Sequence, residues 1–233
     1  MKSSPSEVAV SLETGAATTA LVYPASHPCA GATLILGHGA GAGQHSGFMV
    51  NMSRALAALG VDVVTFNFLY TEQRRHIPDR APVLEACYRS VIEAIRREVN
   101  SARAYTFIGG KSMGGRIATQ VAASDSALPL AGVILLGYPL HPPGRPDQRR
   151  DKHLPSVGRP MLFVQGSRDA FGSPAELSPV LTPLDPKAKL HVVDGGDHSL
   201  KLSRHDAAKQ AAVFDDVERT IVEWMNGVMS SAG

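Results

Sequence analysis

The sequence predicts an α/β protein: a three-layer α/β/α sandwich around a mostly parallel sheet, without a large cap domain. Three observations predict it. From residue 32 onward, short continuous apolar runs alternate with amphipathic helical patterns. A strand that reads as unbroken apolar is buried on both faces, and the right-handed crossovers between parallel strands supply helices to cover both sides. The glycine-rich and polar stretches fall at the carboxyl ends of the apolar runs, where open parallel sheets bind their ligands. The length, 233 residues, suits one large domain, 1–233.

The elements follow in order. Residues 8–12 and 18–22 alternate or are β-branched and flank a turn at Gly15, which suits an antiparallel hairpin at a sheet edge. Residues 24–28 are loop. Residues 32–36 form a buried strand that ends in His38-Gly39-Ala40-Gly41-Ala42-Gly43. A helix over 48–59 places Met49, Met52, Leu56 and Leu59 on one face, with Gly60 as its stop. Residues 61–66 are the next buried strand, and 67–80 a polar loop carrying Arg74, Arg75 and His76. Pro82 suits the first turn of a long helix. Its apolar stripe is Val83, Leu84, Cys87, Val91, Ile95 and Val99, and its wet face carries Glu85, Arg89, Glu93, Arg96 and Arg97.

Residues 104–108 are a strand, and a helix follows from 117 to 123. Residues 130–136 are another strand, ending at Gly137-Tyr138-Pro139. The stretch 140–159 carries Pro142, Pro143, Pro146 and Pro155 and a basic cluster of Arg145, Arg149, Arg150, Lys152 and His153. It is too short for a second domain and has room for a short helix. Residues 161–164 are a strand that ends in Gln165-Gly-Ser-Arg-Asp169. Ser173, Pro174 and Glu176 spell a capped helix start. Residues 190–193 are the last strand, ending in Asp194-Gly-Gly-Asp-His198. A terminal helix runs over 206–228 on a stripe of Phe214, Val217, Ile221, Met225 and Val228.

Composition narrows the function. Lys+Arg 23 against Asp+Glu 21 leaves no electrostatic footprint for nucleic acid. Cys29 and Cys87 make neither a disulfide framework nor a metal-ligand set, and Cys87 reads as a small core residue. Residues 1–16 lack the charged-then-apolar pattern of a secretory leader. No apolar run approaches the length of a membrane span. The expectation is a soluble cytoplasmic protein, monomer or homodimer, with no metal and no organic cofactor.

The chemistry concentrates at Gly110-Lys111-Ser112-Met113-Gly114, between a strand and a helix. This is a G-x-S-x-G nucleophile elbow in the context that motif requires. The turn is so sharp that side chains two positions before or after the serine would strike neighbouring backbone, hence glycine at both. Gly-Lys-Ser also resembles the tail of a phosphate-binding loop, but the glycine that motif needs upstream is Tyr105, inside the strand.

A serine hydroxyl is too weak an acid to ionise alone, so a histidine must take its proton and a carboxylate must orient that histidine. The order serine, acid, histidine from successive strand ends gives Ser112, Asp169 and His198. Asp147 and Asp151 lie inside the Pro-rich loop. Asp194 and Asp197 are too close in sequence to His198, and Asp197 reads as a turn residue holding the Gly195-Gly196 bend. His191 falls inside a strand, and His205 starts the terminal helix. The oxyanion formed by attack needs preorganised N–H donors. These are Met113, after the nucleophile, and Ala40, from the loop after the third strand, with Gly41 as its neighbour. Gly39, Gly41 and Gly43 do not spell a dinucleotide-binding G-x-G-x-x-G, and Asn67 stands where a ribose-binding acid would be. His38 braces the loop through a backbone hydrogen bond.

Together, His38-Gly-Ala-Gly-Ala-Gly43, Asn67-Phe-Leu-Tyr70, the segment 78–85, Gly109 to Arg116, Gly166-Ser-Arg-Asp169 and Gly196-Asp-His198 resemble the α/β-hydrolase superfamily, over most of residues 32–200. Within it the chain is similar to the small, lidless group related to dienelactone hydrolases, and most to the branch of Tex30 and KANSL-type hydrolase-like domains. The resemblance implies the α/β-hydrolase fold and the serine, acid and histidine named above. Dienelactone hydrolases proper carry cysteine at the elbow, so Ser112 argues against that activity. The KANSL-type relatives act as assembly components.

The expected function is a serine hydrolase acting on a small-molecule carboxylic ester, thioester or small amide through an acyl-enzyme on Ser112. The alternative is a catalytically silent binding or scaffold protein on the same fold. Lipases and epoxide hydrolases of the superfamily carry larger lids after the sixth strand, so the short stretch here implies an open, shallow site. Gly41, Lys111, Arg74 and Arg75 are candidate substrate contacts, with Arg149 and Arg150 nearby; basic groups there favour an anionic substrate.

Overall fold

The structure, a computed structural model, describes residues 4–26, 31–203 and 206–231. Cys29, the end of the loop at Pro28, and His205 lie outside the described residues. One eight-stranded sheet has the order β1-β2-β4-β3-β5-β6-β7-β8. β1 (Ser6–Ser11) and β2 (Ala17–Tyr23) form the expected antiparallel hairpin, and β2 pairs antiparallel with β4 (Asp62–Phe66). β3 (Ala32–Gly37), β4, β5 (Tyr105–Lys111), β6 (Leu130–Leu136), β7 (Met161–Gly166) and β8 (Lys189–Val193) are parallel. The helices are α1 (Gly47–Ala58), α2 (Leu69–Glu72), α3 (Ala81–Glu98), α4 (Asn100–Ala104), α5 (Met113–Ser124), α6 (Pro174–Leu181) and α7 (Ala207–Ser231). This is the three-layer sandwich that the sequence predicts.

The two faces of the sheet are read directly off alternate residues, because successive strand side chains point to opposite sides. Leu34 and Leu36 of β3, Ile134 and Leu136 of β6, and Leu162 and Val164 of β7 pack with Met49, Met52 and Leu56 of α1 and Val217, Ile221 and Met225 of α7. Ile35, Val133, Leu135 and Phe163 face the other way, onto Tyr88, Val91 and Ile95 of α3 and Ile117 and Val121 of α5. Both faces are packed against helices, which is why these strands are almost wholly apolar.

The structure departs from the sequence reading in places. Leu59, expected on the buried face of α1, is 38% exposed at the helix end, and Val83, in the first turn of α3, is 42% exposed. Tyr88 and Ile92, both fully buried, complete the α3 stripe instead. Val99 has left the helix, with extended φ and ψ of −109° and 116°. The stretch 67–80 is not simply a polar loop: it holds α2 and buries Phe68 and Tyr70. Between 140 and 159 there is a single 3₁₀ turn, Leu154–Ser156, and no cap domain. The capping box at Ser173 and Glu176 forms as the sequence spells it. Among the described residues, no helix is long and apolar enough to cross a membrane.

The chain runs from β3 outward to β4 on one side, then crosses back to β5 on the other. The crevice at such a reversal is where open α/β sheets place a ligand. The loop after β3 and the turn after β5 flank it.

Candidate active site

The turn after β5 is built around Ser112, whose φ of 51° and ψ of −113° are sparsely populated by non-glycine residues. Its N–H donates to Leu136 O of β6 (3.0 Å), and its carbonyl accepts the Arg116 N–H (3.1 Å), which starts α5. The flanking glycines make the turn possible. A Cβ at Gly110 would lie 2.3 Å from Gly37 O, and one at Gly114 would lie 2.1 Å from the same oxygen. Both glycines therefore let the start of α5 press against the end of β3. The positive end of α5 is left beside the serine hydroxyl.

Ser112 Oγ lies 2.8 Å from His198 Nε2. His198 Nδ1 lies 2.8 Å from Asp169 Oδ2 and 3.0 Å from Oδ1. A carboxylate only accepts, so the imidazole proton sits on Nδ1 and the Nε2 lone pair faces the serine hydroxyl. The side chain of Asp169 is fully buried. Its remaining valences are filled: Phe171 N–H donates to Oδ1 (2.8 Å) and Gln165 Nε2 donates to Oδ2 (2.8 Å). The Phe171 ring stacks on His198 at 4.1 Å. A buried carboxylate is tolerated only with such partners.

The loop carrying His198 is set by Asp197. Its Oδ1 accepts the N–H groups of Ser199 (2.7 Å) and Lys201 (2.9 Å). Asp197 thus braces the turn after His198, not the Gly195-Gly196 bend before it. Leu200, fully buried with φ of 61°, pins the same turn to the core. His191 pairs with Asp216 of α7 at 3.2 Å, outside this site.

The loop after β3 is held by His38, which is fully buried. Its Nδ1 bonds to Gly39 O (2.9 Å) and its Nε2 accepts the Phe68 N–H (3.2 Å). Burial lowers its pKa, which agrees with a neutral ring that donates on one side and accepts on the other. A Cβ at Gly39 would lie 3.6 Å from Ser112 Cβ, so this loop runs alongside the serine. Among the described residues, neither the Ala40 N–H nor the Met113 N–H donates to a backbone acceptor.

Gly41, Arg74 and Arg75 line one cleft of about 250 Å³, with Ala42, Tyr70, Thr71 and His76. Arg75 is paired there with Asp79 at 2.7 Å. Arg149 is paired with Asp151 in the Pro-rich stretch. Lys111 does not face this space. Its side chain turns inward, and Nζ donates to His198 O at 2.6 Å. The substrate contact expected of it is corrected accordingly: a residue at the end of a parallel strand beside a folded-over loop finds a main-chain acceptor before it finds solvent.

Gln165 is the residue that sequence reasoning passes over. It is fully buried: its two amide N–H groups donate to Asp169 and to Gly172 O (2.7 Å), with Tyr138 O 3.2 Å from the same nitrogen, and its Oε1 accepts the Tyr138 N–H (2.8 Å). The signal was a lone amide closing an apolar strand four residues before the acid. Among the described residues, no group of His, Cys, Asp and Glu is placed to hold a metal ion.

Comparison with known proteins agrees with this architecture. Residues 30–226 match the family described as alpha/beta hydrolase domain. A serine hydrolase without a lid from Xanthomonas campestris is 20% identical, with a TM-score of 0.74 over 96% of this chain and 96% of that one. A dienelactone hydrolase from Anabaena variabilis is 20% identical, with a TM-score of 0.70 over 93% of this chain and 97% of that one. A serine hydrolase homologue from Coxiella burnetii is 15% identical, with a TM-score of 0.72 over 92% and 96%. At these identities the likeness to the solved structures is one of fold. With a family match that spans most of its length, on a sheet whose strand order reverses beside a strand–serine–helix turn, the chain belongs to the alpha/beta hydrolase domain family.

Proposed function

We propose that the protein is a serine hydrolase that cleaves a carboxylic ester, thioester or small amide through an acyl-enzyme on Ser112. The observation that carries this reading is the continuous chain from Ser112 Oγ through His198 to Asp169, each link 2.8 Å. Names among the structural neighbours, serine hydrolases and an esterase domain, support it. Ser112 Oγ attacks the carbonyl carbon while its proton passes to His198 Nε2. The carbonyl oxygen gains the negative charge and is met by the N–H groups of Ala40 and Met113. Such a donor contributes about 10²–10³-fold in rate. The tetrahedral adduct collapses, the bond to the leaving group breaks, and Nε2 returns the proton to it. Water then repeats the sequence, with His198 as base, and frees Ser112. Asp169 keeps the imidazole in the reacting tautomer throughout.

The absence of a cap supports substrates that are small or present an accessible end. Basic side chains in the cleft of Gly41, Arg74 and Arg75 support a carboxylate on the substrate, with Arg74 the better partner because Arg75 is already paired. On this reading kcat/KM for carboxylate-bearing esters exceeds that for neutral ones by about two- to fivefold, and Arg74→Ala removes the difference. Equal values in the unaltered protein would discard the anionic preference. Placement beside the Tex30 and KANSL-type branch rests on the sequence motifs alone.

A fluorophosphonate probe tests the main reading without knowledge of the substrate. Labelling that disappears in Ser112→Ala is the expected result. A folded protein that does not label would instead favour the binding or scaffold reading.

A further inference from the structure

We propose that Lys111 is a positioning residue: its ammonium group holds the backbone carbonyl of His198, and so fixes the imidazole against Ser112. The proposal rests on the catalytic reading of Ser112, His198 and Asp169.

Lys111 directly precedes the serine and ends β5, where β-pairing with Leu136 fixes its backbone. Its side chain is buried, and Nζ donates to His198 O at 2.6 Å, across a sequence separation of 87 residues. Burying a lysine is costly unless it is paired. Among the described residues, no carboxylate lies within ion-pair distance of it. The acceptor it has found is a main-chain oxygen on the one residue that must move protons. A charge-assisted bond of this kind is shorter and about twice as strong as a neutral one.

The neighbouring backbone leaves room for this contact. Gly137, at the end of β6, has φ of 67°, and a Cβ there would lie 2.6 Å from His198 O and 3.0 Å from Lys111 Nζ. The histidine is thus held at three points: Nδ1 by Asp169, the ring face by Phe171 and the carbonyl by Lys111. Asp197 then closes the turn that follows.

The groups facing the ammonium decide whether it stays charged. Asp169, from the loop after β7, and Asp197, from the loop after β8, favour the charge. From α1 it meets the face of Phe48, at 5.9 Å, and from β6 the backbone of Gly137; neither carries charge. Burial outweighs the two carboxylates and pushes the lysine down to about 8. It is therefore mostly an ammonium at neutral pH and gives up its proton more readily than an exposed lysine. The neutral amine keeps a weaker bond, so the hold on His198 loosens as pH rises through about 8.

The test is the rate of fluorophosphonate labelling of Ser112 from about pH 6 to about pH 10, in the unaltered protein, Lys111→Arg and Lys111→Met. The unaltered protein is expected to lose rate across about pH 8, by roughly three- to tenfold. Lys111→Arg, whose guanidinium stays charged, is expected to hold its rate to higher pH. Lys111→Met is expected to be about tenfold slower at neutral pH and to lack the step near pH 8. Superimposable profiles for the unaltered protein and Lys111→Arg would overturn the proposal, and that comparison stands even if Lys111→Met fails to fold. An unaltered protein that does not label at all would overturn the catalytic reading and this proposal together.

Discussion

Asp169 shows what a single residue needs in order to work here. Its side chain is fully buried, and four contacts saturate it: the Phe171 N–H, the Gln165 amide and both approaches to His198 Nδ1. Remove Gln165 and the carboxylate loses a donor, while the Tyr138 N–H loses its acceptor. Gln165→Ala is expected to cost about 2 kcal/mol of stability, read from urea unfolding, and roughly tenfold in kcat with little change in KM. A normal kcat would mean that Phe171 alone holds Asp169. The juxtaposition of Ser112, Asp169 and His198 was legible in the sequence because motif order assigns each to a strand end, and strand ends meet. Gln165 and Lys111 were not legible in the same way. A polar residue closing a strand is written with the same letter whether it faces solvent or, as here, backbone folded over from 27 or 87 residues away.

At the scale of elements, the elbow is a contact between β3 and α5 that only glycine permits. Gly114→Ala would place a methyl 2.1 Å from Gly37 O, backbone against backbone, where no rotamer change gives relief. The expected loss exceeds about 3 kcal/mol of unfolding free energy, in the range reserved for steric clashes of this kind. Gly227→Ala, in α7, meets nothing within 4 Å and is the control, expected to be neutral or slightly stabilising. Equal unfolding midpoints for the two variants would mean that α5 can withdraw from β3. The long elements were readable because their apolar periods persist over several turns. α2 was not: four residues make no period, and Phe68 and Tyr70 are followed by the polar run 71–76 although both are buried. Leu59 and Val83 were misread because helical spacing says nothing about where a helix end rises clear of the sheet.

For the whole molecule, the sheet order explains why the chemistry gathers where it does. β3 and β5 adjoin but their chains leave in opposite directions, so their loops part and leave a crevice. The loop after β3 lines one side, the turn after β5 carries Ser112, and the loops after β7 and β8 bring Asp169 and His198 across. Without a cap, the crevice stays open between loops that are each tied down by their own hydrogen bonds. This arrangement was foreseeable from the alternation of strand and helix, since right-handed crossovers leave few other ways to connect such a chain. The cleft beside Gly41 was foreseeable only as a set of basic residues in a loop, since their grouping depends on how α2 turns the chain back.

If Ser112 forms a covalent acyl intermediate, rapid-quench mass spectrometry will trap it. The protein is mixed with excess p-nitrophenyl acetate, quenched in acid within the first turnover and digested. The expected result is a burst of nitrophenol with one acetyl group per protein on the peptide containing Ser112, and neither burst nor adduct in Ser112→Ala. Turnover of the ester with no adduct at Ser112, or with an unchanged burst in Ser112→Ala, would contradict it.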